Sequence, residues 1–340
     1  MTHRPGLDLV YAAERNPEAW EARHAAGEVP SRWPYGLDAL SAFAETTVIP
    51  LAAPGRLTRA LSRLPVSRPR STAVADRVAL AWDENIARRM LSSKLPDARR
   101  FSGLIWLTDR PDPDSPEVAR LTASLRALDG IFVLSSGQLD AVERLLPGGP
   151  PVTHVPFGVD HEFFSAAPYP ERPLVLSVGG DRDRDPETLF TALEIVHASA
   201  PDVDLVVQTS STATPPDGVT VLAKVTHREL RDLYARASLV AIATRPNLHV
   251  SGMTVSLEAM ASGRPVVLTD SPGAADYVED GATGLLVPQR APAELANAIL
   301  GLLRAPHDAE RLGVSARTTV EARFTTAQLA ARLAAFMHIA

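Results

Sequence analysis

The sequence predicts an α/β protein with two doubly wound domains, each built on a parallel sheet. Short runs rich in Val, Leu and Ile alternate with segments of helical period along its 340 residues, as expected for repeated strand–helix units. A chain of this length exceeds what one hydrophobic core usually organises, so two domains are expected. A Pro- and aromatic-rich segment without helical period places the junction between them near 165–172.

Strands can be assigned in order along the chain. In the first domain, residues 1–165, the predicted strands are LDLVYAA, TTVIPLA, RVALAWDE, GLIWLTD and GIFVLSS. In the second domain, residues 172–324, they are PLVLSVGG, VDLVVQTS, GVTVLA, LVAIATR, PVVLTD and GLLVP. The final segment, 325–340, has the pattern of an amphipathic helix that begins at a Thr cap, and it could return to pack on the first domain.

Composition excludes several classes of function. Apolar residues make up 45% of the chain and charged residues 22%, and the net charge of −6 does not favour a nucleic-acid partner. Because there is no cysteine, disulfides, thiolate nucleophiles and Cys-ligated metals are excluded. The first residues lack a signal-peptide pattern and no apolar run reaches membrane-spanning length, so we expect a cytoplasmic protein.

Arginine supplies nearly all the positive charge, since the only lysines are Lys94 and Lys224. Any cationic site for phosphate must therefore be built mainly from arginine. Such Arg-rich and Lys-poor usage is typical of a GC-rich bacterial genome. Among the nine histidines no pair has metal-ligand spacing, and no Ser, His and Asp set predicts a catalytic triad.

The stretch HVSGMTVSLEAMASGRPVV, residues 249–267, contains a single acidic residue, Glu258, in apolar surroundings. Gly252 frees the backbone and the apolar spacing that follows predicts a helix from Met253, with Glu258 about one turn inside on the face of Thr254. A helix that opens on Ser-Gly presents N–H groups and a positive dipole end to phosphate, and the carboxylate can accept from ribose hydroxyls. The alternative is a core helix whose Glu caps or pairs locally.

The loop after SVGG reads DRDRD, and it has two interpretations. Asp181, Asp183 and Asp185 could form a metal-binding D-x-D motif, as could Asp112 and Asp114, because oxygen ligands suit divalent cations. Arginines that flank the first set would repel a cation, so we predict no metal and no cofactor. The same arginines could neutralise phosphate, or could form solvated ion pairs that contribute little.

Four motifs in the second half resemble the nucleotide-binding domain of retaining glycosyltransferases of family 4. They are HVPFGVDHEFF, SVGGDRDRDPETLFTAL, LRDLYARASLVAIATR, and the 249–267 stretch together with DSPGAADYVEDGATGLLVP. The resemblance implies the GT-B architecture, in which two Rossmann-like domains face a cleft. The first half matches that family only in its strand–helix rhythm.

The resemblance implies roles for residues of the second half. Glu258 matches the second Glu of the family's E-x7-E motif and would bind the donor ribose. The backbone from Ser251 to Val255 would bind the diphosphate, which assigns Ser251, Gly252, Met253, Thr254 and Val255 to the donor. The first Glu of the motif falls on Val250, so the donor sugar would be less hydroxylated at that edge, as a deoxysugar is, or His249 would contact it.

The phosphate loop departs from the family pattern as well. The family's Arg falls on Gly180 and its Lys is absent, so Arg182 and Arg184 would supply the charge, with Arg184 the closer positional match. Both would act in catalysis by stabilising the leaving phosphate.

Acceptor-side residues are predicted in the first half. Asp109 stands where the family often carries a His, and Gly36 in WPYGLDAL would replace the Gly-rich loop near the donor phosphate. Trp33 and Tyr35 could line an acceptor pocket or pack in the core. Asp83 and Glu84 end a predicted strand and could face the acceptor or cap a helix. The arginines within 56–70 form either a solvated basic face or a surface for an anionic lipid or an acidic acceptor.

The implied activity is transfer of a hexosyl group from a nucleotide diphosphate sugar to an acceptor hydroxyl, with retention and without metal. The expected partners are that donor and a small-molecule or lipid-linked acceptor, as in natural-product or cell-envelope glycosylation, and a homo-oligomer stays open. Alternatives are a catalytically silent nucleotide-sugar-binding or partner protein of the same fold, and a phosphorylase or epimerase. An NAD-dependent oxidoreductase is disfavoured because no strand is followed by G-x-G-x-x-G.

Overall fold

A computed structural model describes residues 4–52, 76–93, 95–110, 112 and 114–340. The chain divides into two compact units. Unit 1 comprises Met1–Ala25, Arg32–Pro156 and Ala327–Ala340, and unit 2 comprises Ala26–Ser31 and Phe157–Thr326. The division falls at Pro156, ahead of the 165–172 segment in which the sequence placed the junction. The predicted basic face within 56–70 lies outside the described residues.

Unit 1 contains a six-stranded sheet in the order β2-β1-β3-β4-β5-β6, and every neighbouring pair is parallel. Its strands are β1 Gly6–Ala12, β2 Glu45–Leu51, β3 Arg77–Ala81, β4 Arg99–Gly103, β5 Gly130–Val133 and β6 Val152–His154. Its α-helices among the described residues are α1 Pro17–Ala25, α2 Glu84–Ser92, α3 Pro116–Leu125 and α4 Leu139–Leu145. Short 3-10 segments include Pro34–Ala42 and Leu107–Asp109.

Unit 2 contains a second parallel six-stranded sheet in the order β12-β11-β10-β7-β8-β9. Its strands are β7 Leu174–Val178, β8 Asp204–Gln208, β9 Val219–Leu222, β10 Leu239–Ile242, β11 Val266–Thr269 and β12 Gly284–Val287. Its α-helices among the described residues are α5 Pro186–Ser199, α6 His227–Arg236, α7 Met253–Ala261, α8 Pro292–Arg304 and α9 Pro306–Arg323. The last helix of the chain, α10 Thr326–Phe336, belongs almost entirely to unit 1. The two sheets confirm the predicted α/β fold class.

The central strands of unit 2, β7, β10 and β11, are buried on both faces, as their continuous apolar sequences predict. Leu239 and Ala241 of β10 pack in a core cluster with residues of α5 and α8. Val240 and Ile242 are also fully buried and, because side chains alternate along a strand, point to the opposite face.

The segment that follows Phe157 is fixed to unit 2 by two arginines. Arg264 is fully buried, and its Nη2 donates to the carbonyls of Ala167 and Pro168 at 3.0 and 2.8 Å. Nη1 of Arg317, on α9, donates to the carbonyls of His161 and Phe164 at 2.7 and 3.1 Å. These bonds satisfy the backbone of a segment that has no regular structure of its own.

Residues 327–340 belong to unit 1. The ring of Phe336, on α10, meets that of Phe101 edge-on, with centroids 5.3 Å apart. Gly130 at the start of β5 has no side chain beneath these rings, and a Cβ there would lie 2.7 Å from Cζ of Phe336.

One predicted strand was misplaced. The strand before the Leu107–Asp109 turn is Arg99–Gly103 rather than GLIWLTD, although Leu104 and Ile105 are buried. Their loop can be buried because the Glu84 carboxylate accepts the N–H groups of Ile105 and Trp106, both at 2.9 Å. Glu84 is itself fully buried, and burial raises its pKa.

Two further assignments change with the structure. Strand β6 was not predicted, because PVTHVP was interpreted as part of the junction. Asp83 caps α2, since its Oδ1 accepts the N–H groups of Asn85 and Ile86 at 2.8 and 3.0 Å. The capping alternative is therefore the correct one for Asp83, and Glu84 supports a loop.

None of the helices in the described ranges combines the length and apolar character that a membrane crossing requires.

We predict opposite effects for two helical glycines of unit 2. A Cβ on Gly313 of α9 would overlap the Gly263 carbonyl oxygen at the end of α7, whereas a Cβ on Gly301 of α8 would meet nothing within 4 Å. Gly313→Ala should lower the free energy of unfolding by about 1–3 kcal/mol through overpacking, and Gly301→Ala should raise it by about 0.5–1 kcal/mol. Urea denaturation measures both, and equal effects would contradict the packing of α9 on α7.

Candidate functional site

The candidate site lies where the strand order of unit 2 reverses. From β7 the chain proceeds outward to β8 and β9 and then returns to β10 on the other side of β7. The loops after β7 and β10 therefore leave adjacent strands at the carboxyl edge, where open α/β sheets bind ligands. They are tied together, because Asp185 N donates to Ala243 O at 3.0 Å and Arg245 N donates to Asp183 O at 2.8 Å.

The first turn of α7 presents free N–H groups to this edge. The helix begins at Met253, as predicted, after Gly252 with φ of 93°. No side chain caps it and its first turn carries no acidic residue, so the helix itself supplies no anion to the positive end of its dipole.

The five predicted backbone donors divide into two groups. Ser251 N donates to Asn247 Oδ1 at 2.8 Å and Met253 N donates to Val250 O at 3.0 Å, so these two are engaged inside the protein. Among the described residues the structure records no acceptor for the N–H groups of Gly252, Thr254 and Val255. Three of the five predicted donors are therefore available to a ligand.

The guanidinium of Arg184 lies against this helix start. Its Nη1 would be 3.0 Å from a Cβ placed on Gly252, and the group also fills the space beside Gly179, which has φ of 136°. Its side chain is 12% exposed, against 39% for Arg182. Nε donates to Asp181 Oδ2 at 3.0 Å, and the structure records no hydrogen bond from Nη1 or Nη2 to a described residue. Nη1 is the nitrogen that lies against the α7 N-terminus, and Nη2 lies beside Gly179.

The carboxylate of Asp181 joins the two loops. Oδ2 accepts Arg184 Nε at 3.0 Å, and Oδ1 accepts Ser251 Oγ at 2.8 Å and the Asp183 N–H at 3.0 Å. Burial acts against its charge, but Arg184, Ser251 and the Asp183 N–H outweigh burial and hold the pKa of Asp181 below its usual value. Asp181 is therefore ionised at neutral pH and fixes the orientation of Arg184.

Arg182 and Gly180 sit differently from Arg184. Arg182 Nε donates to Asp183 Oδ2 at 3.0 Å, in a more exposed ion pair. The carbonyl of Gly180 accepts Ser210 Oγ at 3.0 Å, and a Cβ on Gly180 would lie 2.5 Å from that oxygen. Gly180 thus allows the loop after β7 to approach the end of β8.

Glu258 lies within α7 and is buried, with 8% of its surface exposed. Tyr234 of α6 donates its hydroxyl to Glu258 Oε2 at 2.9 Å. Burial raises the pKa of Glu258 to about 7, although the Tyr234 hydrogen bond and the charge of Arg184 act in the opposite direction. The carboxylate thus titrates near neutral pH, one turn inside the helix that opens the site.

Val250 and His249 both face inward. Val250 is 1% exposed and has φ of 52°, a left-handed conformation that is strained by about 1–3 kcal/mol for a β-branched residue. His249 is also buried, and its Nε2 lies 3.6 Å from Asp183 Oδ2.

A cluster of three ligand-type groups occurs at the same edge. One ligand atom each from Asp181, Asp183 and His249 lies within 4.8 Å of the others. Both carboxylates already pair with arginines, which is an ion-pair network rather than an open oxygen site. Asp185, the third member of the D-x-D interpretation, caps α5, since its Oδ1 accepts Thr188 N at 3.2 Å and its Oδ2 accepts Thr188 Oγ1 at 2.7 Å.

The sequence-predicted residues of unit 1 have different local surroundings. Asp109 ends the Leu107–Asp109 turn, and its Oδ2 accepts Thr108 Oγ1 at 3.1 Å. Tyr35 stacks on Trp82 with centroids 4.2 Å apart. Gly36 has φ of 71° in the Pro34–Ala42 segment, and its role toward a donor stays a prediction.

Trp33 lines a separate cavity of unit 1. The cavity has a volume of about 470 Å³ and also includes Asn16, Glu18 and Glu21 after the end of β1. It combines an aromatic wall with polar groups, the kind of lining that small hydroxylated molecules require.

Two residues of the site were not predicted from the sequence. Tyr234 lies in the LRDLYARASLVAIATR motif, but the pattern shows only a helix. Asp181 was considered as a metal ligand or as a member of a solvated ion pair, and not as the group that orients Arg184. The alternation of acids and arginines in DRDRD was the available signal for Asp181. A carboxylate close to an anion-binding arginine is suited to orient that arginine.

Comparison with known proteins gives the site a family context. Residues 172–305 match the family described as "Glycosyl transferases group 1". The alpha-maltose-1-phosphate synthase of Mycolicibacterium smegmatis is 29% identical over 61% of this chain and 62% of its own length. The GDP-mannose-dependent alpha-(1-6)-phosphatidylinositol monomannoside mannosyltransferase of Mycobacterium tuberculosis is 35% identical over 36% of this chain and 32% of its own.

This chain therefore spans less than two thirds of the length of these curated relatives. The crystal structure of HepE from Anabaena in complex with UDP-glucose has a TM-score of 0.69 at 15% identity, covering 98% of this chain and 99% of that one. This likeness shows the fold and confirms the predicted GT-B architecture, and the family match of residues 172–305 confirms the predicted resemblance of the second half.

We predict that ionisation of Glu258 lowers the free energy of unfolding as the pH rises. Its pKa of about 7 lies above the ordinary value of 4.5, so the folded state keeps a proton that the unfolded chain releases between these values. Stability associated with this group is present below about pH 4.5 and is lost as the pH rises through about 7. The loss is on the order of 3 kcal/mol, because a change of one in pKa corresponds to about 1.4 kcal/mol.

Glu258→Gln should remove that loss and be more stable than the native chain at pH 8. Urea denaturation between pH 5 and 8 measures it, with Glu194→Gln, an exposed site on α5, as the control. Equal pH dependence for the native chain and Glu258→Gln would contradict the assignment.

Proposed function

We propose that this chain, whose residues 172–305 belong to the glycosyl transferases group 1 family, transfers a sugar from a nucleoside diphosphate sugar to an acceptor hydroxyl. The observation that carries the proposal is the approach of the Arg184 guanidinium to the uncapped N-terminus of α7. A diphosphate is the ligand that this combination suits, because it accepts from backbone N–H groups and from a guanidinium at once.

The donor would be held at three points. Its diphosphate oxygens would accept from the N–H groups of Gly252, Thr254 and Val255 and from the free end of Arg184. Its ribose hydroxyls would donate to Glu258, one turn deeper. The relatives support such a donor, since one is described as GDP-mannose-dependent and the Anabaena structure contains UDP-glucose.

The reaction would proceed with retention at the anomeric carbon. The acceptor oxygen forms a bond to that carbon while the bond from carbon to the phosphate oxygen breaks, and the departing phosphate takes the acceptor proton. Arg184 and the α7 N–H groups stabilise the charge that grows on the leaving diphosphate. No carboxylate nucleophile is needed, which agrees with the orientation of Asp181 and Asp183 toward arginines.

At the position of Val250 the protein would offer no hydrogen-bond acceptor to a hydroxyl of the transferred sugar. That side chain is buried and apolar, so the proposal favours a sugar with few hydroxyls on that edge, such as a deoxysugar. His249 is held near Asp183 and is the nearest side chain in sequence that could replace the missing acceptor.

The acceptor would be a small hydroxylated molecule or a lipid-linked sugar. The cavity beside Trp33 in unit 1 is the candidate place for an acceptor ring, and Asp109 is the candidate polar contact. A cytoplasmic location, natural-product or cell-envelope chemistry and homo-oligomerisation remain proposals of the same kind.

A catalytically silent binding protein is the second candidate function, because Val250 replaces an acidic residue of the family motif and the phosphate-loop lysine is absent. Product formation distinguishes the two. Donor binding without sugar transfer or hydrolysis, for every donor that binds, would favour the silent protein. Dependence on free phosphate or isomerisation of the sugar would instead indicate a phosphorylase or an epimerase.

We predict that Arg184 contributes more to turnover than Arg182. UDP-, GDP-, ADP- and dTDP-sugars would be screened by thermal stabilisation, and transfer would be followed with the best donor. Arg184→Met should lower kcat/KM by about 100-fold or more, in line with the loss of a preorganised donor to a leaving group. Arg182→Met should cost less than about tenfold, and Arg172→Met, an exposed residue paired with Asp204, serves as the control. Equal losses for Arg184 and Arg172 would contradict the proposed diphosphate site.

We predict that turnover does not require a divalent cation. Asp181 and Asp183 are paired with Arg184 and Arg182, so a cation at this edge would have to displace two guanidinium groups. Activity should be unchanged in EDTA. Loss of activity that manganese restores would overturn this expectation.

A further inference from the structure

We propose that Tyr234 is a positioning residue that orients the Glu258 carboxylate for the donor ribose. The inference rests on the proposed function. It adds a residue of α6, whereas the proposed donor contacts lie on α7 and on the loop after β7. Tyr234 would act through Glu258 and would not touch the donor itself.

The two oxygens of Glu258 have different surroundings. Oε2 accepts the Tyr234 hydroxyl at 2.9 Å. Among the described residues no protein group donates to Oε1, and yet the side chain is buried within unit 2. Oε1 is not one of the fully enclosed polar atoms that lack a partner, so it keeps some contact with solvent and a ligand hydroxyl can donate to it. The ribose hydroxyls are the donors that the proposed function would bring to it.

Tyr234 is held so that its hydroxyl cannot turn away. The residue is fully buried, and its ring meets that of Phe164 edge-on with centroids 5.9 Å apart. Its backbone carbonyl accepts Nε of the buried Arg264 at 3.0 Å. Arg264 also donates its own N–H to Ala259 O on α7, at 2.9 Å, so the positions of α6 and α7 are fixed relative to each other.

This arrangement makes the charge of Glu258 depend on Tyr234. Tyr234 from α6 and Arg184 from the loop after β7 are the groups that favour the ionised carboxylate against burial. Arg264 and, from α9, Arg317 reach carbonyls near the far end of α7, including that of Ala261. The ionised form accepts a ribose hydroxyl on Oε1, so nucleotide binding should strengthen as the pH rises through about 7.

A purely structural role for Tyr234 predicts a different outcome. If the hydroxyl only satisfied a buried acid, its removal would change stability and leave nucleotide affinity and its pH dependence unaltered. The pH midpoint of binding therefore separates a positioning role from a packing role.

The test uses Tyr234→Phe in the full chain, with UDP and GDP as probes. Calorimetric titration from pH 5.5 to 9 gives the dissociation constant of each nucleotide. We expect Tyr234→Phe to weaken binding about tenfold at pH 7 and to move the midpoint upward by about one pH unit, since the hydrogen bond that favours the anion is lost. The nucleotide phosphate also titrates in this pH range, and its effect on binding is the same in all variants. The pH dependence of binding to Glu258→Gln measures that background.

Tyr277→Phe is the matched control. Tyr277 is another buried tyrosine of unit 2, but its hydroxyl accepts the Phe157 N–H at 3.0 Å and none of its recorded hydrogen bonds goes to Glu258. This variant should keep the native midpoint and stay within about twofold of the native affinity.

A second measurement works without ligand. In protein carrying 13C-labelled glutamate, the Glu258 carboxyl signal is the one that disappears in Glu258→Gln, and its pH titration should move upward in Tyr234→Phe. No movement would overturn the proposal, as would movement without any change in nucleotide binding. Failure of the native chain to bind either nucleotide, when the carboxyl titration does move, would count against the proposed donor site instead.

Discussion

The ion pair between Asp181 and Arg184 determines the geometry of the candidate site. Arg184 can lie against the start of α7 because Gly179 and Gly252 lack side chains there and because Asp181 holds Nε. Asp181 in turn is held by Ser251, one residue before Gly252. The loops after two adjacent strands thus fix each other, and the positive charge at the helix start is set before any ligand arrives.

Glu258 introduces a cost that the rest of unit 2 must offset. A carboxylate among apolar residues of α7 destabilises the fold once it is ionised, and Tyr234 provides only one hydrogen bond to it. A helix optimised for packing alone would not retain such a residue. A buried acidic residue that lowers the stability of the fold is expected where its side chain binds a ligand.

Much of the fold followed from sequence pattern, and the reasons are specific. In unit 2 every strand is a short apolar run between turn residues, and Gly252 and Gly263 mark the ends of α7, so these elements were predicted with nearly correct limits. In unit 1 the RRFSG strand was not predicted, because its two arginines interrupt the apolar pattern. The apolar loop that follows was taken for the strand instead, since its burial depends on a remote carboxylate, Glu84. Contacts of this kind between distant segments, including that of Tyr234 with Glu258, leave no periodic signal. Glu258 and Arg184 could be chosen from the sequence, but which N–H groups of 251–255 were free could not.

The conformation of Val250 limits how this protein could change its substrate. With φ of 52° and almost no exposed surface, the residue directs its side chain into the interior. A glutamate introduced at this position on the same backbone would enter the core as an unpaired charge. An acidic contact of the family type at this position would therefore require the backbone between Asn247 and Gly252 to reorganise as well, so a single substitution of Val250 is not expected to supply it.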